Sequence, residues 1–232
     1  MWLWQFAKRY FQRLSEASVE GCRLGRSLKA SLISLLVILS LSAPLSLSAD
    51  DDVILVFGDS LSTAYGFERD KAWPALLDQQ LAEHGLDYRV VNTSRSGETT
   101  GGGLRRLPDT LEEHEPAITL IQLGGNDGLR GQPPQRIKSN LREMITLAEQ
   151  ADSEVVLIGI RIPPNYGRAY AERFEQIYPA LAEEHDIELI PFLLEGIWDK
   201  EGMMQDDGIH PSAAAQPKIL ELVWDMLEDS VK

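Results

Sequence analysis

From Asp50 onward, runs of strand length and composition alternate with stretches of helical pattern. The strand runs are Val53 to Phe57, Tyr88 to Asn92, Ile118 to Leu123, Glu154 to Ile160 and Ile187 to Ile190. The helical stretches are Ala72 to His84, Gly103 to Glu113, Pro134 to Gln150, Ala169 to His185 and Ser212 to Glu228. Parallel strands cannot be joined by a tight turn and need a crossover, which a helix supplies, so this alternation predicts an α/β fold with a parallel sheet and helices on both faces. The 44% hydrophobic content of the 232 residues suffices for one sizeable core and excludes a disordered chain. One domain over residues 50–232 is expected, with no repeat and no internal linker.

Residues 1–49 belong outside that fold. Lys8, Arg9, Arg13, Arg23, Arg26 and Lys29 precede an apolar run from Leu32 to Leu41, and small residues follow to Ala49. Basic, then apolar, then small is the order of a secretory signal, and the apolar run is short of the roughly 20 residues of a membrane span. A cleaved signal is favoured over a retained anchor, which predicts a periplasmic or secreted protein touching a membrane only through an uncleaved N-terminal segment. The same segment holds six Lys/Arg against two Glu, which leaves 16 basic and 34 acidic residues, a formal charge of −18, in residues 50–232. Such a body repels nucleic acid and anionic lipid surfaces. The single cysteine, Cys22, excludes an internal disulfide and a multi-cysteine metal site.

In an open α/β sheet the crevice lies outside the carboxyl ends of the strands. The first strand delivers Gly58-Asp59-Ser60-Leu61-Ser62 to that edge. Ser60 is a candidate nucleophile, although Asp59 or Ser60 reads equally well as the cap of a following helix. A serine hydroxyl needs a base within hydrogen-bond reach. Of the four histidines, His84, His114 and His185 each follow an acid near the end of a helical stretch, where they suit the helix dipole. His210 instead lies in Asp206-Asp207-Gly208-Ile209-His210-Pro211, after every strand and just before the last helix. Asp207, three residues earlier, can hold one imidazole nitrogen while the other faces outward. Acyl transfer also needs donors for an oxyanion. The glycine-rich loops after the second and third strands offer Gly97 and Asn126, each of which taken alone also reads as a turn residue.

Gly58-Asp59-Ser60-Leu61-Ser62, Gly97, Gly124-Gly125-Asn126-Asp127 and Asp207-Gly208-Ile209-His210 together resemble, in order and spacing, the four blocks of the SGNH, or GDSL, hydrolase family, over residues 52 to 229. The resemblance implies a three-layer α/β/α, flavodoxin-like fold with a central parallel five-stranded sheet. It also implies Ser60 as nucleophile, His210 as base, Asp207 as orienting acid, and an oxyanion hole made by Ser60, Gly97 and Asn126. Hydrolysis of acyl esters and thioesters follows, of thioesterase, arylesterase or lysophospholipase type, on a small-molecule substrate, by a monomer without metal or cofactor. Asp59, Leu61, Leu129, Arg161, Pro163 and Ile209 are expected to touch the substrate. The loop Leu129 to Pro133 is either an acyl groove or a plain surface loop, and Ile160 to Pro164 either a pocket wall or a rigid connector. Two alternatives stand beside this: a carbohydrate O-acetylesterase of the same family, and a metal-dependent phosphodiesterase with Asp59, Asp206, Asp207 and His210 as ligands.

Overall fold

The computed structural model describes residues 51–232, so the signal or anchor expected at 1–49 lies outside the described residues. Five strands form one wholly parallel sheet: β1 (Asp52–Gly58), β2 (Tyr88–Asn92), β3 (Ile118–Gln122), β4 (Glu154–Ile158) and β5 (Glu188–Ile190), in the order β2-β1-β3-β4-β5. β1, β3 and β4 are buried nearly throughout, as strands covered on both faces must be, whereas the flanking β2 and β5 are only partly buried. The backbone of the edge strand β2 is itself blunted, because Asp78 Oδ1 accepts the Val90 N–H at 2.7 Å.

The chain steps from β1 outward to β2 and then back across β1 to β3. Crossovers between parallel strands are right-handed, so that reversal sends successive helices to opposite faces. α1 (Trp73–Glu83) packs against the C-terminal helix α7 (Gln216–Val231) on one face. On the other, α2 (Thr100–His114) packs against α4 (Pro134–Gln150), and α4 against α6 (Ile177–His185). This is the expected three-layer architecture. The reversal also opens a crevice between the carboxyl ends of β1 and β3, the place where doubly wound folds bind ligands.

Three elements differ from the sequence expectation. The stretch Ala169 to His185 is two helices, α5 (Arg168–Glu175) and α6, broken at Gln176. Pro179 has no N–H to give the Glu175 carbonyl and its ring crowds that carbonyl, so the helix ends there. α2 begins three residues early and runs through Gly101, Gly102 and Gly103, with Thr99 Oγ1 capping Gly102 N at 3.1 Å. Its start lies so near β1 that a Cβ on Gly103 would stand 2.6 Å from Leu123 Cδ1 and 3.1 Å from Phe57 Cε1. The short helix α3 (Gly125–Leu129) directly after β3 had no counterpart in the sequence pattern, being too brief to show a period.

Candidate active site

β1 ends in a 3-10 turn, Ser60–Ser62, and the division of labour within it is clear. Asp59 is the cap, its Oδ1 accepting the Leu61 N–H at 3.1 Å, which leaves the Ser60 hydroxyl free. Ser60 Oγ lies 2.8 Å from His210 Nε2, and His210 Nδ1 lies 2.7 Å from Asp207 Oδ2. The other carboxylate oxygen of Asp207 accepts the N–H groups of Ile209 and His210 at 2.9 and 3.0 Å. Desolvation would raise the Asp207 carboxyl, but those two N–H groups and the imidazole outweigh it and bring its pKa down to about 2. An ionised carboxylate only accepts, so Nδ1 carries the proton and Nε2 is left to accept from Ser60.

The segment carrying Asp207 and His210 is a tight loop closed by the antiparallel bridge Met204↔Pro211 and by Gln205 N–H to His210 O at 2.8 Å. Gly208 turns it with a φ of +65°. A ring the sequence did not mark, Tyr65, stacks on the His210 imidazole with centroids 4.1 Å apart and planes inclined by 29°. Gln205 joins the two segments, its Nε2 donating to Tyr65 O at 2.7 Å and to Pro211 O at 3.0 Å.

The two loops expected to supply oxyanion donors are drawn to the same turn. Beyond β2, Arg95 N–H bonds Gly58 O at 3.0 Å and Ser96 Oγ meets Thr63 Oγ1 at 3.0 Å, which ties the segment just before Gly97 to the turn that carries Ser60. A Cβ on Gly97 would meet no protein atom within 4 Å, so the glycine is there for its φ of +76° and the open space in front of it. Beyond β3, Asp127 receives the Thr100 N–H at 2.7 Å and the Thr100 hydroxyl at 2.8 Å, and Arg130 Nη2 reaches Gly97 O at 3.3 Å. Both loops are thereby locked together. Asn126 Nδ2 donates one hydrogen to Asp59 Oδ2 at 3.2 Å, and its second amide hydrogen remains for a ligand.

Beneath this ring of groups lies a buried polar network. Gln122, the last residue of β3, donates to Asp59 Oδ1 at 2.9 Å and accepts from Ser62 Oγ at 2.8 Å. Burial pushes the Asp59 carboxyl up, against the bonds from Gln122, Leu61 and Asn126 that favour its ionised form. Of the expected substrate contacts, Asp59 is 2% and Leu61 8% exposed, and both are bonded into the Ser60 turn. Leu129 is half-buried, Pro163 exposed and Ile209 exposed beside His210, while the Arg161 guanidinium is held by Glu175 at 2.8 Å and Glu195 at 3.2 Å. The phosphodiesterase alternative loses its donor set, since the Asp59 oxygens are spent in the network. Among the described residues no three His, Cys, Asp or Glu side chains assemble to hold an ion. His84 and His185 sit at helix ends, bonded to Gln80 O and to Glu149, and His114 is the last residue of α2.

A model of the GDSL-like lipase/acylhydrolase family matches residues 56–216, a span that begins in β1 and ends past His210. The chain belongs to the GDSL-like lipase/acylhydrolase family. It is 50% identical over 184 residues to the esterase TesA of Pseudomonas aeruginosa, covering 79% of this chain and 92% of that protein. It is 45% identical, again over 184 residues, to the thioesterase 1/protease 1/lysophospholipase L1 of Escherichia coli K12, covering 79% of this chain and 87% of that one. Among solved structures of the family, the psychrotrophic esterase EstA of Pseudoalteromonas sp., inhibited by monoethylphosphonate, superposes with a TM-score of 0.74 at 38% identity, over 78% of this chain and 98% of that one.

Proposed function

We propose that this member of the GDSL-like family is a serine hydrolase of acyl esters and acyl thioesters. The observation that carries the reading is the continuous hydroxyl–imidazole–carboxylate chain of Ser60, His210 and Asp207, with links of 2.8 and 2.7 Å, at the carboxyl edge of the sheet. Ser60 Oγ attacks the acyl carbonyl as His210 Nε2 takes its proton, and Asp207 holds the imidazolium that forms. The oxyanion is received by the N–H groups of Ser60 and Gly97 and by the free amide hydrogen of Asn126. Collapse of the tetrahedral intermediate returns the proton from Nε2 to the departing alcohol or thiol and leaves an acyl-enzyme. Water, deprotonated by the same imidazole, then releases the carboxylic acid. No step calls for a metal or an organic cofactor.

The names of the Pseudomonas and Escherichia relatives support esterase and thioesterase work, with acyl thioesters and lysophospholipids as the finer substrate classes. No observation favours a carbohydrate ester over these. The basic, apolar and small-residue order of residues 1–49 supports export to the periplasm or beyond. The test is covalent. A fluorophosphonate should label Ser60 stoichiometrically, and Ser60→Ala should lose the label together with roughly 10⁴-fold or more of the turnover of a p-nitrophenyl ester. Labelling elsewhere, or near-normal turnover in the variant, would remove Ser60 from its role.

A further inference from the structure

Arg95 to Glu98 is a β-turn, closed by the Glu98 N–H on Arg95 O at 3.1 Å, with Gly97 third in it at a φ of +76°. The closing bond uses only the two outer residues. The Gly97 N–H therefore stays outside it, and the direction it points is set by how the turn as a whole is held. One end is held by the Arg95 N–H on Gly58 O at 3.0 Å. The other end is Glu98, whose Oε1 accepts the Thr99 N–H at 3.2 Å and whose Oε2 meets Arg106 Nε at 2.9 Å. Gly102 clears the space for that carboxylate over the first turn of α2, since a Cβ there would run into Glu98 Oε1. The Arg106 guanidinium in turn lies on the Phe57 ring, 3.8 Å from its centroid, and Phe57 stands on β1 three residues before Ser60. The pair thus refers the turn that offers the Gly97 N–H to the strand that delivers the nucleophile.

Stability alone does not account for this pair. Each of its side chains is only 13% exposed, and an ion pair so far from water loses to desolvation much of what it gains in attraction. Burial pushes the Arg106 guanidinium down from its ordinary pKa in spite of Glu98, and its Nη2 is buried with no hydrogen-bond partner among the described residues. A donor left in that state costs free energy. Apolar side chains would fill the same space at no such cost, but they have no directed bond with which to aim a turn.

We propose that Glu98 and Arg106 are positioning residues for the oxyanion: together they hold the Gly97 N–H in register with Ser60. The proposal rests on the ester and thioester hydrolase reading and adds the device that aligns one of its oxyanion donors. The test is Glu98→Gln/Arg106→Met, which keeps the bond to Thr99 and removes the ion pair. The double variant should melt within about 4 °C of the native protein. Its kcat on p-nitrophenyl butyrate should nevertheless fall about 10- to 100-fold, with KM within about twofold of native. A trifluoromethyl ketone, which the serine converts to a tetrahedral oxyanion, should bind more weakly by the factor lost from kcat/KM. Glu98→Gln alone should show the same kcat loss and carries the test if the double variant does not fold. Native kcat in the folded variants would overturn the proposal, as would a fall in kcat with the ketone bound as tightly as before, or a rise in KM alone. A native protein that neither cleaves the ester nor binds the ketone would overturn the hydrolase reading itself, which keeps the two failures apart.

Discussion

Asn126 stands at the end of a chain of bonds whose only free terminus faces the crevice. One of its amide hydrogens is spent on Asp59, which orients the other. Asn126→Ala should therefore lower kcat by roughly 10²- to 10³-fold with little change in KM, the pattern of a contact made only in the transition state; a rise in KM alone would assign Asn126 to ground-state binding. Asp207 yields a pH prediction. With its carboxyl at about 2, it remains ionised through the range where carboxylates ordinarily titrate. A depressed carboxylate stabilises the fold above its unfolded pKa of about 4, and that contribution is lost as pH falls from there toward 2. Above that window Asp207 should therefore add no inflection to log kcat/KM. An inflection near the ordinary carboxylate pKa of about 4 that disappears in Asp207→Asn would show that its carboxyl titrates there after all.

Three loops from different elements make the site, and the contacts between them are as specific as the groups they present. Asp127 in α3 holds Thr100 at the start of α2, and Asn140 Nδ2 in α4 reinforces the Thr100 hydroxyl at 3.0 Å. Gln122 joins the end of β3 to the turn after β1, bonding both Asp59 and Ser62. Replacing it with leucine keeps the volume but strips a donor from a buried carboxylate, so Gln122→Leu should lower unfolding stability by about 1–3 kcal/mol in urea titrations. It should also reduce turnover, since Asp59 would no longer be held against Leu61 N and Asn126. Unchanged stability and turnover together would show that the network bears no load. Gln122 was legible only in part. A polar residue closing an otherwise apolar buried strand is a signal, but nothing along the chain indicates which turn it will meet.

At the scale of the molecule, one hydrophobic core, running among the described residues from Ile54 to Val231, joins both helical layers to the sheet. Because the order of residues 1–49 is that of an export segment, residues 50–232 alone should melt cooperatively at the temperature of the full chain and turn over a p-nitrophenyl ester at the same kcat. A lower melting temperature or a lower kcat would show that residues 1–49 contribute to the folded domain. The acidic surface sits over this core without disturbing it, because the abundant carboxylates are on exposed helix faces, as at Glu184, whose bonds to Arg142 bring its carboxyl to about 2.

Strand and helix order, the parallel sheet and the candidacy of Ser60, His210 and Asp207 were legible in the sequence. Buried parallel strands must be continuous apolar runs, and the polar residues that interrupt them at their carboxyl ends stand out by contrast. The short helix after β3, the break at Gln176 and the early start of α2 were not, because they depend on one missing N–H, on five residues too few to show a period, and on how closely a helix can approach β1. Which of Asp59 and Ser60 caps the turn, the Tyr65 ring over His210, and the inward direction of Asp59 and Leu61 were decided only by the tertiary structure. They turn on contacts between distant residues, such as Tyr65 with His210 and Asp59 with Gln122 63 positions on, and no local propensity carries information about a partner so far away.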